Sequence, residues 1–403
     1  MKKGPTHVFA LAVLVSWASA FAQSPADTAK MNSPVAGMAP QAGVTAKGGG
    51  AFIKSEDGRA VVRLMGYAQP TFIATAESNR QPYKVPSFFV RRARADFKAE
   101  FDSLYTLFFE FDAGPPGGTS LVEGYSQAAL IRDHLNFRLG KFIQPFSAEN
   151  MRSSRALETV ERFQALNAFI GLPALDAQNG AMLFGTVDAG KMFKYYLSIN
   201  NGTNTASQTG NVKDNNADKD YIGRLEFTPS KVFRAGLGLD YATEVGQTLT
   251  LRSYSGAAYD TIRVQGIRQA IDVDLHGTVA KIGLDAEWLM AMFPDTNASM
   301  HGGYVQAGMW VKGSEADGGI QPLVRVEYST LSADNVPGPS LKSEVSGAML
   351  MSYTLGLNYW MNQWTRWQVN LIEETTSGKG NGVFAAKDNR FLPTLFAQMQ
   401  IKF

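Results

Sequence analysis

Arginine and lysine side chains in two segments of the chain could bind oxyanions. They are Arg92, Arg94 and Lys98 in the first segment, and Lys141, Arg152, Arg155 and Arg162 in and just before the second. A guanidinium group stays charged, and its planar fork binds oxygen atoms in pairs, which suits phosphate. These cations could therefore guide an anion along a narrow path. Those of the second segment could instead pair with Glu149, Glu158 and Glu161 and simply fix that segment in place.

Other kinds of chemistry find little support in the sequence. The chain has no cysteine, which excludes disulfides, cysteine nucleophiles and cysteine metal ligands. Beyond the first residues its histidines are His134, His276 and His301, each near an expected turn or loop, and no G-x-S-x-G or metal-ligand spacing accompanies them. No basic module for nucleic acid is present. An enzyme is therefore the less favoured alternative, and no metal or cofactor is expected.

Period-two alternation of apolar and polar residues predicts the elements that position these cations. The last segment shows it clearly, because Leu395, Ala397, Met399, Ile401 and Phe403 share one face, whereas Gln398, Gln400 and Lys402 share the other. No run of about twenty apolar residues is available for a membrane helix. A chain that crosses a membrane with such strands must close them into a barrel. We count about sixteen strands, apolar outside and polar inside.

The same alternation assigns faces to the charged residues. Over residues 88–101 it places Arg92, Arg94 and Lys98 in the lumen, whereas Arg91 would face lipid or snorkel to the interface. Acidic residues fall on lumen faces too, namely Glu110, Asp112, Glu226, Asp240, Asp272, Asp274, Glu287 and Glu327. Facing rows of cations and carboxylates weaken the case for strict phosphate selectivity.

Three parts of the chain depart from this alternation. Residues 1–22 resemble a signal peptide, with Lys2 and Lys3 before a short apolar stretch and a cleavage site after Ala22. Residues 23–58 have the composition of a flexible leader in the periplasm. Residues 143–177 are long, irregular and too apolar to lie in water, so we expect them to fold into the lumen and narrow it, with a short helix between residues 157 and 169. Residues 243–266 are expected to form a long polar loop, and His276-Gly277 a turn.

Several motifs resemble the phosphate-selective porin O/P family. They are Phe88–Arg94, Lys219–Leu225 and the more specific segment Leu139–Glu149, which contains Gln144, Pro145, Phe146, Ser147 and Glu149. The resemblance extends from about residue 59 to the end. It implies a sixteen-stranded barrel, commonly a homotrimer, with its third outer loop folded inward as a constriction. It also implies that Phe403 is the signal read by the barrel-assembly machinery, and that lumen arginines and lysines pass phosphate along.

The sequence thus predicts an all-β protein whose residues 59–403 form a transmembrane antiparallel β-barrel in the Gram-negative outer membrane, surrounded by lipid. The favoured function is a passive porin for small anions such as phosphate. A general diffusion porin without anion selectivity is the alternative, and a barrel enzyme or an adhesin is less favoured.

Overall fold

Antiparallel strands make up most of the computed structural model, which describes residues 41–44, 50–75, 86–114, 118–171, 177–202, 217–256, 258–333, 347–378 and 393–403. The strands are β1 (Gln41–Val44), β2 (Ala51–Lys54), β3 (Ala60–Thr75), β4 (Ser87–Phe101), β5 (Tyr105–Asp112), β6 (Ser120–Ile131), β7 (Leu135–Ile143), β8 (Ala177–Thr186), β9 (Phe193–Asn200), β10 (Asp220–Ser230), β11 (Phe233–Arg252), β12 (Ala258–Val279), β13 (Ile282–Phe293), β14 (Ala298–Met309), β15 (Lys312–Ser314), β16 (Gly318–Ala333), β17 (Ala348–Trp360), β18 (Thr365–Ser377) and β19 (Thr394–Lys402). The helices are α1 (Ala148–Met151) and α2 (Gln164–Gly171), with short 3-10 turns at Ser154–Ala156 and Pro294–Thr296.

Sixteen of these strands form a closed barrel, as the sequence predicts. Each strand from β3 onward pairs with the next, except that β15 is a short side strand and β14 pairs directly with β16. The last strand, β19, pairs with β3 from Thr394 opposite Thr75 to Lys402 opposite Tyr67, and this pairing closes the ring. Closure leaves no unpaired edge in the barrel wall, which is what a hydrocarbon environment requires.

The first strand of the barrel is longer than the last, and a preceding hairpin covers the difference. Residues 61–64 of β3 extend past the end of β19 and pair with β2, which in turn pairs with β1. The predicted flexible leader over residues 23–58 is therefore wrong for β1 and β2. The physical reason is that an exposed strand edge presents unpaired backbone groups, and β2 satisfies them. The predicted signal peptide and residues 23–40 lie outside the described residues.

The two faces of the wall have opposite chemistry. On the outer face, Leu139, Leu355 and Val305 are each more than half exposed, whereas lumen-facing Gln368, Asn370 and Gln398 of the last strands are fully buried. Apolar residues outside and polar residues inside are the arrangement of a barrel in lipid. Within the described residues, no helix has the length and hydropathy to cross a membrane.

The terminal residue lies on the outer face of the closing seam. The backbone of Phe403 exchanges hydrogen bonds with Gly66 of β3, with N–O distances of 3.0 and 3.2 Å. The Phe403 ring lies directly over this glycine, because a Cβ atom added at Gly66 would come within 3.0 Å of the ring and within 2.7 Å of the Arg94 carbonyl oxygen. Gly66 therefore leaves the space that the terminal ring occupies.

We expect Gly66→Val to weaken the closing seam by about 1–3 kcal/mol, the usual cost of overpacking. Gly223→Val is a matched control, since it adds the same side chain to the outer face where the nearest atom, on Leu197, is 3.7 Å away. The temperature at which the folded band converts to the unfolded band on a gel measures the effect. Equal conversion temperatures for the two variants would contradict this role of Gly66.

Two predicted connections are wrong because strands continue through them. Residues 243–266 are mostly the ends of β11 and β12, the longest of the described strands, which are connected through residues 253–256 and one further residue. His276 and Gly277 lie inside β12, and the turn follows at residues 280–281, where Ala280 has a φ of 54°. In both places polar residues alternate with apolar ones. The high content of polar residues suggests a loop, but the period-two alternation correctly indicates a strand. For convenience, the barrel end with the short connections is called the turn end, and the opposite end the loop end.

Candidate functional site

The segment between β7 and β8 folds into the lumen, as predicted, and is called the constriction loop (described residues 144–171). Its large apolar side chains Phe146, Leu157, Phe163, Leu166 and Phe169 are all at most 1% exposed. Their burial is the force that draws the loop away from water. The predicted helix between residues 157 and 169 is shorter and shifted, since α2 spans Gln164–Gly171.

The signature residues begin the loop and attach it to the wall. Ser147 caps α1 by accepting a hydrogen bond from the Asn150 amide at 3.1 Å, and its hydroxyl donates to Glu287 of β13. Glu287 also accepts from the Glu149 amide at 2.9 Å. The carbonyl of Phe146 accepts from Arg224 of β10 at 2.8 Å. Pro145 and Gln144 are buried at the start of the loop, and the Gln144 amide donates to the Phe142 carbonyl at 3.1 Å.

Glu149 forms a deeply buried anchor of the loop. Its carboxylate accepts from Arg325 of β16 at 2.7 Å and from the Phe163 amide at 2.9 Å. Both charged side chains are at most 2% exposed. The guanidinium carbon of Arg325 also lies 3.8 Å from the ring centre of Tyr304. Glu149 therefore joins both halves of the loop to the opposite wall.

The predicted anion-guiding cations of β4 lie in the lumen, but they have protein partners. Arg94 forms ion pairs with Asp112 at 2.9 Å and with Glu110. Arg92 donates to the Gln69 amide oxygen at 3.0 Å and lies 3.7 Å from Glu161. Lys98 pairs with Glu100 at 2.8 Å near the turn end.

The predicted cations of the loop are engaged in the same way. Arg152 pairs with Asp285 at 2.9 Å, and Arg155 lies 3.8 Å from Asp96. Arg162 donates to the backbone carbonyl of Arg152 at 2.9 Å and so holds one turn of the loop against another. Lys141 donates to the Leu121 carbonyl at 2.7 Å. These contacts agree with the alternative that the cations of the loop fix it in place. An anion-guiding role for the seven predicted cations stays a prediction.

The direction of the Arg91 side chain differs from the sequence prediction, which placed it toward lipid. In the pairing of β3 with β4, Gln69 is opposite Arg92 and Pro70 is opposite Val90, so that Arg91 is an extra residue in the ladder. Such a bulge re-aims a side chain. Arg91 consequently points to the constriction loop and binds Glu161 through two hydrogen bonds of 2.5 and 2.9 Å.

Further lumen arginines were not singled out from the sequence. They are Arg138 on β7, Arg224 on β10, Arg268 on β12, Arg325 on β16 and Arg366 on β18. The period-two pattern of each strand could have identified them. Most are matched by carboxylates, including the predicted lumen acids: Arg224 pairs with Asp274 at 2.5 Å, and Arg268 pairs with Asp240 at 2.6 Å.

A second element also enters the lumen at the loop end. The tip between β11 and β12 carries Tyr254, whose hydroxyl donates to Glu327 at 2.6 Å and whose amide lies 3.1 Å from the Glu374 carboxylate. Below it, Leu249 and Ile262 of this hairpin pack into one apolar cluster with Phe163 of the constriction loop. The hairpin and the loop therefore close part of the lumen together.

The three histidines of the described residues lie apart in different environments. His134 contacts the Thr186 carbonyl at 2.9 Å, His276 contacts Asp285 at 2.8 Å, and His301 lies on the outer face beside Tyr328. Within the described residues, no three histidine or acidic side chains are placed to hold a metal ion.

Comparison with known structures agrees with this architecture. The chain is similar to OmpT of Vibrio cholerae in its trimer form (TM-score 0.57, 11% identity, 86% of this chain and 100% of that chain). It is similar to an anion-selective porin from Comamonas acidovorans (TM-score 0.55, 12% identity, 85% and 100%). It also resembles the outer membrane channel DcaP of Acinetobacter baumannii (TM-score 0.54, 10% identity, 87% and 99%). At these identities the likeness concerns the fold alone.

Comparison with protein families is more specific. The search of curated protein sequences returned no match. The family model described as phosphate-selective porin O and P matches residues 76–401, which include every lumen cation discussed above and the whole constriction loop. The chain therefore belongs to the phosphate-selective porin O and P family, and it is an outer-membrane porin.

Proposed function

We propose that this porin is a passive channel for small solutes, with anions such as phosphate among them, and that it lacks a dedicated phosphate site. The observation that carries this proposal is the uneven filling of the lumen. The constriction loop forms hydrogen bonds with β3, β4, β10, β13, β14 and β16–β19, and its first residue, Gln144, forms one with β9. Near the turn end, lumen side chains on β5–β9 such as Phe108, Tyr125 and Tyr196 are only half-buried, which supports a passage along that wall.

Charge pairing argues against strict phosphate selectivity. A site that binds phosphate in passing needs cations whose donors are not already taken. Arg94 and Arg224 instead lie within 3 Å of carboxylates. Arg138 is different, because no ion pair joins it to a carboxylate among the described residues. Together with the likeness to an anion-selective porin, this supports a modest preference for anions.

The assembly of the channel is part of the same proposal. The trimer form of the similar V. cholerae protein supports a homotrimer. Export through a signal peptide cleaved near Ala22 belongs to this proposal. Recognition of Phe403 by the barrel-assembly machinery fits the exposed ring at the closing seam.

Planar-bilayer recording tests the channel. We expect stepwise conductance and a reversal potential in a KCl gradient that lies modestly on the anion side, with no block when phosphate replaces part of the chloride. Absence of conductance steps would contradict the proposal that the protein forms a pore. A strong anion preference with block by phosphate would show that a dedicated phosphate site exists.

A further inference from the structure

A group of aromatic side chains lines the lumen near the turn end, where barrel interiors are normally polar. Phe108 of β5 pairs with Tyr125 of β6, and Phe184 of β8 pairs with Tyr196 of β9. Register fixes their direction, since Phe108 is also opposite Lys98, and Tyr196 is opposite the lumen residue Arg224. We call Phe108, Tyr125, Phe184 and Tyr196 the aromatic strip.

The rings of the strip form two neighbouring pairs. The centres of Phe108 and Tyr125 are 5.2 Å apart, and those of Phe184 and Tyr196 are 6.0 Å apart with their planes within 7° of parallel. All four are half-buried, in contrast to the fully buried lumen residues beneath the constriction loop. Part of each side chain is thus accessible to a solute on this wall.

Arg138 lies between the two pairs of rings. Its guanidinium carbon is 4.0 Å from the centre of the Tyr125 ring and 5.1 Å from that of Phe184. Its Nε and one terminal nitrogen both donate to the Gln127 amide oxygen, at 3.3 and 3.0 Å. A guanidinium has five donors, and stacking between rings leaves its edge directed away from them. Among the described residues, no carboxylate forms an ion pair with it.

We propose that Arg138 and the aromatic strip bind planar aromatic carboxylates on their way through the pore, which deepens the proposed function and rests on it. The carboxylate would accept hydrogen bonds from Arg138, and the ring would stack on the strip. Phosphate or an aliphatic acid could use only the cation. The site therefore favours anions that combine one carboxylate with a flat ring, and benzoate is the simplest probe.

Current block by added solutes tests this site in the full-length protein in planar bilayers. We expect benzoate to reduce the KCl current at concentrations several-fold lower than cyclohexanecarboxylate, which has the same charge but no aromatic ring. Arg138→Gln should weaken the benzoate block about tenfold. Tyr196→Leu, which keeps the charge, should bring benzoate to the level of cyclohexanecarboxylate and leave the reversal potential unchanged.

Lys194→Gln is the matched control, because it also removes one lumen-facing cation from this wall but lies outside the strip. Its benzoate block should stay close to that of the unmodified protein. Equal block by benzoate and cyclohexanecarboxylate, or equal loss in Lys194→Gln and Arg138→Gln, would overturn the proposal.

Equilibrium binding separates this inference from the porin function itself. Calorimetric titration of benzoate into the detergent-solubilised protein needs no conductance. Binding that is lost in Arg138→Gln supports the site even if no current steps occur, whereas steps without any benzoate binding overturn the site and leave the channel intact.

Discussion

Glu149→Ala should give a noisier channel of higher conductance and a barrel that unfolds at a lower temperature. The substitution removes the carboxylate that accepts from Arg325 and from the Phe163 amide. Arg325 would keep Glu327, whose carboxylate is 2.8 Å away, and its hydrogen bond of 3.1 Å to the Thr159 hydroxyl, but it would lose its charged partner on the loop. Breaking a buried ion pair by removing one partner costs about 3–5 kcal/mol. Much of that cost destabilises the inward position of the loop, so the loop should leave this position more often.

The position of Glu149 explains why the current should respond. Its backbone amide donates to Glu287 on one wall, while its side chain reaches Arg325 on another. Loss of the side chain removes the hydrogen bond between α1 and the Phe163 amide, so we expect the second half of the loop to be held less firmly against α1. Single-channel recording measures the amplitude and the noise, and thermal unfolding followed by circular dichroism measures the stability.

A combined variant distinguishes the ion pairs from a general packing defect. In Glu149→Leu with Arg325→Met and Glu327→Gln, the three buried charges that pair with one another are removed together, and such replacements of buried ionic groups are often neutral. We expect this variant to recover part of the lost stability. An unaltered current in Glu149→Ala, together with an unaltered unfolding temperature, would show that the loop does not depend on this anchor.

The sequence predicts the barrel well because its physical cause is local. Strand side chains alternate, so Leu395, Ala397 and Gln398 reveal their faces without any knowledge of their partners. The inward loop was also predictable, since Phe146, Phe163 and Phe169 are too apolar for a loop in water. The pairing of residues 61–64 with β2 was not predictable, because it depends on β3 extending past the end of β19.

The charges of the lumen could be located but not paired from the sequence. Alternation placed Arg94, Glu110 and Asp112 inside, but their mutual contacts depend on the register between strands. The direction of Arg91 could not be predicted, because one bulge changes the direction of a single side chain. Arg138 resembles any other strand arginine until Tyr125 and Phe184 are seen on either side of it.

The contact between β4 and the loop has the clearest consequence for selectivity. Glu161 binds Arg91 through both oxygens and lies 3.7 Å from Arg92. Burial alone would raise the pKa of Glu161, but the guanidinium groups of Arg91, Arg92 and Arg162 outweigh it and hold that pKa below its usual range. One carboxylate thus offsets a local excess of positive charge.

Glu161→Gln should therefore shift the reversal potential in a KCl gradient further toward anions, because it leaves the neighbouring arginines without their counter-charge. Glu158→Gln is the matched control. It removes the same charge from the same loop, but Glu158 accepts from the neutral side chains of Gln306 and Gln321 at 2.6 and 2.7 Å. We expect a smaller shift of the reversal potential in Glu158→Gln, which measures the effect of removing one negative charge from the loop. Equal shifts in the two variants would mean that the cations near Glu161 do not reach the ion path.

Acidification supplies an independent test of the same contact. A carboxylate whose pKa is lowered on folding contributes its stabilisation above the ordinary pKa of about 4.3 and loses it as the pH falls through the folded value. The unmodified channel should therefore keep its Glu161 anchor through mildly acidic pH and approach the selectivity of Glu161→Gln only at lower pH. The variant should lack this step, because glutamine does not titrate. If selectivity changed with pH by the same amount in both proteins, the change would come from other carboxylates. Glu161 would then have no role in selectivity.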